Sequence, residues 1–545
     1  MSSVRLYFDT IRHLRPVQIY GRAWHRLHRP RPDLRPAPPR RPQAAPWPAP
    51  PLRAVSLVAP DRLLLLNEER SIAGAAAWNG AHDAALWMYN LHYFDDLNAP
   101  DDPAREAWQR DLIARWVREN PPGEGVGWDP YPTSLRIVSW IRWLLRGHAA
   151  VPGMLHSLAV QARHLRRRLE HFILGNHLFV NAKALAVAGT FFAGDEADGW
   201  LAEGRRLLER EIAEQILGDG GHFERSPMYH ALLLEDLLDL LALDRAVPGT
   251  GAPVDALART ASAMIGWLRA MTHPDGGIAL FNDATTGVAA APDALLAAAR
   301  ALGVEVPPAP GPGTVDLPAT GYTRVELGGA VLLADTGALG PDYLPGHGHA
   351  DTLSFELSIA GRRVLVDSGV SEYGTAPERV RQRGTAAHNT VLVDGLDSSE
   401  VWSGFRVARR ARVHDRRVAA VAGAATIEAW HDGYHRLPGR VAHRRRWEVD
   451  AGVITIDDDV TGGGRHRVEL LFHLAPGLEP HRTGDETWEL AAGLRLEVDA
   501  RLAWEAAPGT VHRAMGERAP AWILRGVADT LLPVHARTRI LWDPS

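Results

Sequence analysis

The chain has no cysteine, so disulfides and thiolate chemistry are excluded, and any bound metal has to be held by histidine and carboxylates. It has no excess of positive charge. With histidines neutral the net charge is −5, which removes the global basic field expected of a nucleic-acid binder. No stretch approaches the roughly 18 apolar residues of a membrane span, so no integral membrane segment is expected. Met1–Pro30 offers no uninterrupted apolar run and no signal-peptidase site, because Arg5, Asp9, Arg12, His13, Arg15 and Arg22 punctuate it. With no secretion leader read there, the expected compartment is the cytoplasm, the periplasm staying open. Lysine is scarce beside arginine among the 60 basic residues. That bias fits either a GC-rich genome or carboxylate recognition.

What is present is enough for two cores. At 545 residues the chain exceeds what one hydrophobic core usually organises. The 18 tryptophans can fill a core or line a sugar site, and for most of them the core is the simpler role. Residues 1–28 read as a short amphipathic helix pair, and 29–52 as an extended Pro/Arg-rich connector. From about 60 to 300, apolar residues recur at helical spacing between short Gly, Pro and Asp breaks, the pattern of serial antiparallel helices. Pro307–Gly313 is the strongest linker signal. Beyond it come many short alternating runs separated by turns such as Ala360-Gly361 and Asp394-Gly395, which predict an antiparallel sandwich. The expected division is a lead segment 1–59, a helical domain 60–304, a Pro/Gly linker 305–320 and a β-domain 321–545. The fold class is α+β and multidomain.

The stretch with most chemistry is Gly346-His347-Gly348-His349-Ala350-Asp351. The alternating run Leu353–Ile359 that follows predicts a half-buried strand, so both histidines would point to one face. Downstream lie Asp367, in Val-Leu-Val-Asp-Ser-Gly, and His388, in Ala-Ala-His-Asn-Thr-Val. His349, Asp367 and His388 are candidate metal ligands by residue type; satisfied buried histidines and a turn-closing aspartate explain them equally well. In the helical half, Leu174-Gly175-Asn176-His177-Leu178 sets two polar residues after a glycine between helices, where a cap is the plain explanation. Asp219–His230 is dense in glycine and polar groups and starts a helix near Tyr229, a phenol able to donate or accept a proton or simply to pack. Asp275–Asp283 holds an Asn-Asp pair that a turn accounts for.

Together these segments resemble the heparinase II/III-like polysaccharide lyases, a group that also includes oligoalginate lyases. The resemblance rests on Gly175-Asn176-His177, Glu224–His230, Gly346–Asp351, Val366–Gly369 with Tyr373, and Ala387–Thr390, and covers about 85 to 475. It implies an N-terminal incomplete α/α toroid followed by a C-terminal antiparallel β-sandwich, with a cleft between them. It also implies β-elimination at a uronic acid of an acidic polysaccharide. That reaction needs the carboxylate neutralised, the C5 proton removed and the departing O4 protonated. By resemblance Asn176 neutralises the carboxylate, His177 is its helper or the base, Tyr229 is the acid and for some substrate stereochemistries also the base, and His347 is the catalytic histidine on the β-side. His349, Asp367 and His388 then hold a structural zinc. Substrate-binding candidates are Arg225, His230, Tyr373, Arg383 and Tyr434, with Arg379, His431 and Arg444 as further contacts. A setting in bacterial capsule or exopolysaccharide metabolism fits the missing leader. The competing reading is a non-catalytic glycan-binding or assembly protein on the same fold. A glycoside hydrolase would need two opposed carboxylates, and Glu224, Asp275 and Asp283 show no evident pairing. A zinc hydrolase would need an open metal position.

Overall fold

Proline and a preceding polar residue start many of the helices. Asp102 Oδ1 accepts from the amide of Ala104 at 2.9 Å with Pro103 in the first turn, and Ser226 Oγ accepts from Tyr229 N at 3.2 Å with Pro227 in the same place. A proline there loses no helical hydrogen bond, and the polar side chain satisfies an amide that has none. The computed structural model describes residues 3–80 and 85–544. In chain order the first helices are α1 (Ser3–Ile11) and α2 (Pro16–Leu27), followed by a small sheet of β1 (Leu57–Ala59), β2 (Arg62–Leu65) and β3 (Glu68–Ser71). Then come α3 (Ala85–Leu91), α4 (Pro103–Glu119), α5 (Pro130–Leu145), α6 (Met154–Arg166), α7 (Gly175–Phe191), α8 (Asp195–Gln215), α9 (Pro227–Ala246), α10 (Val254–Ala270) and α11 (Pro292–Ala301).

α7 and α9 are buried along nearly their whole length, while α6 and α8 keep one wet side. A helix apolar all round has to sit inside others. The exceptions in α7 are paired: Lys183 Nζ reaches Asp236 and Asp239, each at 2.6 Å. Trp116, Trp140, Trp143 and Trp200 are fully buried here, so these tryptophans serve the core.

The second half is antiparallel sheet. β4 (Gly313–Leu317), β5 (Tyr322–Leu327), β6 (Ala330–Asp335), β7 (Phe355–Ile359) and β8 (Arg362–Leu365) form one five-stranded sheet in sequence order. The end of the stretch read as linker is thus strand β4. Next come β9 (Val391–Val393), β10 (Val401–Trp402), β11 (Arg406–Val407), β12 (Val413–Val421), β13 (Ala424–His431), β14 (Ala442–Asp450), β15 (Val453–Thr461) and β16 (Arg465–His473). They are followed by β17 (His481–Arg482), β18 (Thr487–Ala491), β19 (Leu494–Glu497), β20 (Ala503–Val511), β21 (Ala519–Leu531) and β22 (Val534–Trp542). An eight-stranded sheet runs β12-β13-β14-β15-β22-β19-β18-β17, and a four-stranded one β20-β21-β16-β9. Side chains of all three larger sheets, Phe355, Trp447 and Phe472 among them, share one core. The register of β14 on β15 sets Arg445 opposite Asp458, and the pair closes at 2.7 Å inside the protein. One helix, α12 (Pro377–Arg383), lies between β8 and β9.

β7 departs from the half-buried strand expected: every residue of it is buried. Its polar side meets the helical half instead of water. His273 bonds Ser358 Oγ and Glu356 Oε2, each at 2.7 Å, and Glu356 Oε1 accepts from Leu280 N at 2.8 Å. Alternation reports two different faces, and a polar face matched by polar partners is as buried as an apolar one.

Candidate active site between the helical and β halves

Three helix starts of the first half meet here. Tyr131 is the second residue of α5, Asn176 and His177 are the second and third of α7, and Tyr229 is the third of α9. Helix N-termini carry unpaired amides and positive dipole ends, which favour an anionic ligand. The turn into α7 is tight. Leu174 and Gly175 have φ of 71° and 52°, and a Cβ on Gly175 would lie 2.4 Å from Leu344 Cδ2 and 3.2 Å from Glu224 Oε1. That explains the glycine before Asn-His: nothing larger lets α7 start against the loop that carries the β-side histidines.

His347 and His349 do lie just before the strand, and they do converge, but on a residue that the spacing of the two histidines could not reveal. Asp283 Oδ2 is 2.8 Å from His347 Nδ1, and its Oδ1 is 2.9 Å from His349 Nε2. Arg379 of α12 donates to both oxygens of Asp283, to Oδ2 at 2.7 Å. Burial acts to raise Asp283, but the Arg379 guanidinium and both histidines outweigh it and hold the carboxyl well below its usual range. Asp283 therefore accepts from His347 Nδ1 and orients the ring, the arrangement of a positioned general base. Asn282, at φ 57°, accepts the backbone amide of His349 at 2.9 Å and shapes the same turn.

The His347 ring lies 3.9 Å from the ring of Tyr229, centroid to centroid. The Tyr229 hydroxyl is 3.3 Å from that of Tyr373. Burial, reinforced by Tyr373 and Asp283, pushes Tyr229 well above the ordinary phenol range, so it keeps its proton. On the other side, Glu224 Oε2 stands 3.8 Å from His347 Nε2. Glu224 is buried, neither of its oxygens has a hydrogen-bond partner among the described residues, and burial raises it against the pull of His347 and His177. The His177 ring lies 4.4 Å from that of Tyr131, tilted by 41°, and has Glu170 at 3.2 Å. Asn176 is half-buried, and among the described residues its amide is bonded to no other side chain.

Asn176, His177, Tyr229, His347 and Tyr373 are thus gathered from both halves. Other candidates are not. His230 is fully buried, bonded to Met264 O at 2.9 Å and stacked on Trp267 at 4.3 Å, because it follows Tyr229 on a helix and turns into the core. Arg383 is sealed inside, where it ties Gly348 O (2.8 Å) to Gly404 O (3.1 Å); it supports the histidine loop without reaching substrate. Tyr434 is buried with its hydroxyl on Val391 O at 2.7 Å. Arg225 bonds Ala338 O at 2.5 Å, and its own carbonyl holds Tyr322. Arg379 is spent on Asp283, His431 faces His443 at 3.3 Å, and Arg444 pairs with Glu428 at 2.6 Å on the surface. Asp283 and Glu224 entered the sequence reading as carboxylates with no evident pairing, and the fold brings both against His347. A charged residue after Asn282 in a Gly-rich turn was the available sign.

Behind the site, oxygen and nitrogen donors of Asp351, Asp367 and His388 lie within 4.8 Å of one another, all buried. His388 Nδ1 meets Asp367 Oδ2 at 2.7 Å, while His388 Nε2 and Asp351 Oδ2 have no partner. Burial pushes Asp351 up to about 6 and raises Asp367, and a cation would favour their ionised forms. These residues fit a divalent metal. His349 spends Nε2 on Asp283, and its Nδ1 is unpartnered beside His388, ring to ring at 5.3 Å. Asp351 is thus closer to the cluster than the sequence reading made it.

Comparison with known proteins agrees with this architecture. Residues 116–298 match the family described as Heparinase II/III N-terminus, and 309–530 match Heparinase II/III-like, C-terminal. FtsZ-localized protein C of Caulobacter vibrioides is 28% identical over 403 residues, 70% of this chain but 65% of that protein. A heparin-sulfate lyase of Bacteroides thetaiotaomicron is 37% identical over 157 residues, 27% of this chain and 22% of the lyase. The chain therefore spans less than two thirds of the length of these relatives. The crystal structure of heparinase III superposes with a TM-score of 0.65 at 18% identity, over 88% of this chain and 80% of that one, a likeness of fold. Helices first, antiparallel sheets second, and both family descriptions in that order lead to one assignment: the chain belongs to the heparinase II/III-like family.

Proposed function

We propose that this protein is a polysaccharide lyase that cleaves a uronic-acid-containing acidic polysaccharide by β-elimination. The observation that carries the reading is the Tyr229–His347 pair, one residue from each half, at 3.9 Å. His347 Nε2, its other nitrogen held by Asp283, removes the C5 proton. The C4–O4 bond breaks as the C4=C5 bond forms, and the Tyr229 hydroxyl protonates the departing O4. Asn176 offers its amide to the uronate carboxylate, and the three helix starts favour the negative charge that develops there. His177 and Tyr373 line the same cleft. Asp351, Asp367 and His388, with His349 adjoining, would hold a structural zinc that braces the histidine loop from behind. A role in bacterial capsule or exopolysaccharide metabolism is the setting we favour.

A second reading has one observation in its favour. FtsZ-localized protein C of Caulobacter vibrioides is named for its place and not for catalysis, which suits a glycan-binding or assembly protein on a lyase fold. One experiment separates the two. The protein is incubated with heparan, chondroitin, hyaluronan, alginate and bacterial exopolysaccharides, and ultraviolet absorbance of the unsaturated uronate product is followed. Absorbance growing with chain cleavage is expected. Cleavage without absorbance would mean hydrolysis, and binding without cleavage would leave the assembly reading ahead.

A further inference from the structure

Amphipathic helices of a folded domain turn their apolar stripe inward. α1 and α2 do the reverse. Val4, Phe8, Ile11, Tyr20, Trp24 and Leu27 are 47–83% exposed. Val4, Phe8 and Ile11 repeat at i, i+4 and i+7 on α1, and Tyr20, Trp24 and Leu27 do so on α2, so each set forms one stripe. The inward sides are mostly polar or small, with Val17 packed on the helical core and Tyr7 edge-on to Trp402 at 5.0 Å. Asp9 is buried between Arg5 and Arg12 at 3.7 and 3.4 Å, and Thr10 Oγ1 accepts from Trp402 Nε1 at 3.1 Å. Gln18 donates to Tyr343 O at 3.0 Å, Gly21 packs against Phe172 and His25 stacks on Phe172 at 4.5 Å. The helix pair is therefore anchored by its polar face and presents its apolar face outward.

The charge on and between these helices is mostly positive. Arg5, Arg12, Arg15, Arg22 and Arg26 are exposed, Arg15 pairing with Glu214, and the single carboxylate between Ser3 and Leu27 is the buried Asp9. Beside α1 lies an open cavity of about 330 Å³ lined by Arg5, Arg12, His13, Arg410, Arg412 and Arg436, with Asp432 as the acidic lining residue. Arg410 and Arg412 share Asp342, and Arg436 bonds backbone carbonyls, Ser398 O at 3.1 Å among them. Arginines outnumber carboxylates around it.

We propose that α1 and α2 form a docking face for an anionic lipid bilayer, with the apolar stripes entering the acyl boundary and the arginines meeting headgroup phosphates. Exposed aromatic and aliphatic stripes flanked by arginine are the chemistry of interfacial helices. A second copy of this chain fits less well, because it would bring two arginine-rich faces together. The pair also touches both sides of the site's rim. Tyr343 precedes Leu344, which abuts Gly175, and Phe172 leads into the turn before Asn176. Docking would set the cleft at the bilayer surface. This inference does not depend on the lyase reading.

The full chain is floated with vesicles of phosphatidylcholine alone and of phosphatidylcholine with phosphatidylglycerol. Flotation with the anionic vesicles, weakened by salt, is expected. The double variant Phe8→Glu/Trp24→Glu, both positions exposed, should keep the wild-type melting temperature and float at least about tenfold less. Arg22→Ala/Arg26→Ala should float less with anionic vesicles. No flotation of the folded wild type, or equal flotation of the Phe8/Trp24 variant, would overturn the proposal. Equal, salt-independent flotation with both vesicle types would overturn the choice of an anionic surface. If sedimentation shows wild-type dimers that the Phe8/Trp24 variant loses while neither binds vesicles, the face joins two copies and the proposal is wrong.

Discussion

At the residue scale, the proposed chemistry turns on Tyr229, and Glu224 stands beside its partner His347 in the site. Tyr229 carries its hydroxyl next to Tyr373 and its ring on His347. Tyr229→Phe keeps the ring and removes the proton, so turnover should fall by about 10²–10⁴-fold with an unchanged melting temperature. Near-wild-type product absorbance from that variant would place the acid elsewhere. Glu224 is a buried carboxyl whose oxygens have no hydrogen-bond partner among the described residues, and burial raises it. Its proton is held more tightly in the folded chain than in the unfolded one. Its contribution to stability is therefore complete at low pH and lost as pH rises from the unfolded value through the raised one. Glu224→Gln imitates the protonated form, so melting temperatures of wild type and variant should agree near pH 4 and diverge in favour of the variant at pH 8. A variant less stable at pH 8 would mean that Glu224 is ionised and paired with His347. Tyr229 and His347 stood out as candidates in the sequence because their motifs are short and dense, and the fold brings their rings together. Asp283 did not, since an Asn-Asp pair in a turn looks like turn chemistry until the fold brings two histidines and an arginine to it.

At the scale of elements, the loop from Gly346 to Asp351 and strand β7 work together. A Cβ on Gly348 would stand 2.3 Å from Leu339 Cδ2, so the glycine between the histidines lets the loop lie flat on its neighbour while Arg383 ties it from below. If Asp351, Asp367 and His388 hold the ion, Asp351→Asn should lose bound metal and lower the melting temperature, and His349→Ala should act mainly through Asp283. If His349 is a ligand, His349→Ala should lose metal as well. Metal content by mass spectrometry beside thermal melts distinguishes the two sets. Metal retained in His388→Ala at wild-type level would exclude both. His230, Arg383 and Tyr434 show why residue type alone misleads here. Each is polar, yet helix phase turns His230 and Arg383 into the core and the turn after β13 does the same for Tyr434, and a backbone carbonyl satisfies each.

The whole molecule depends on buried charge that is paired across distant segments. Asp283 with Arg379 joins the two halves, and Asp458 with Arg445 and His443 pins the middle of the eight-stranded sheet. Burial acts to raise Asp458, but Arg445 and His443 outweigh it and hold the carboxyl at about 2. A depressed folded value contributes stability above the unfolded one, near 4 for a free aspartate. That stability should be lost as pH falls from about 4 toward 2. Acid melts of wild type and Asp458→Asn should show it, the variant having lost the pair already and responding less over that window. An identical acid slope in both would remove Asp458 from the account.

By itself the sequence determined the order of the halves, the helical and alternating texture of each, and the short motifs that carry Asn176, His177, Tyr229 and His347. Those depend on local periodicity and on residues adjacent in the chain. Only the tertiary structure decided that both histidines converge on Asp283, that β7 is buried on both sides, and that α1 and α2 turn their apolar stripes outward. Each of these is a question of what lies opposite a face. Periodicity defines the face, but its partner comes from segments tens to hundreds of residues away, brought there by the packing of the two cores.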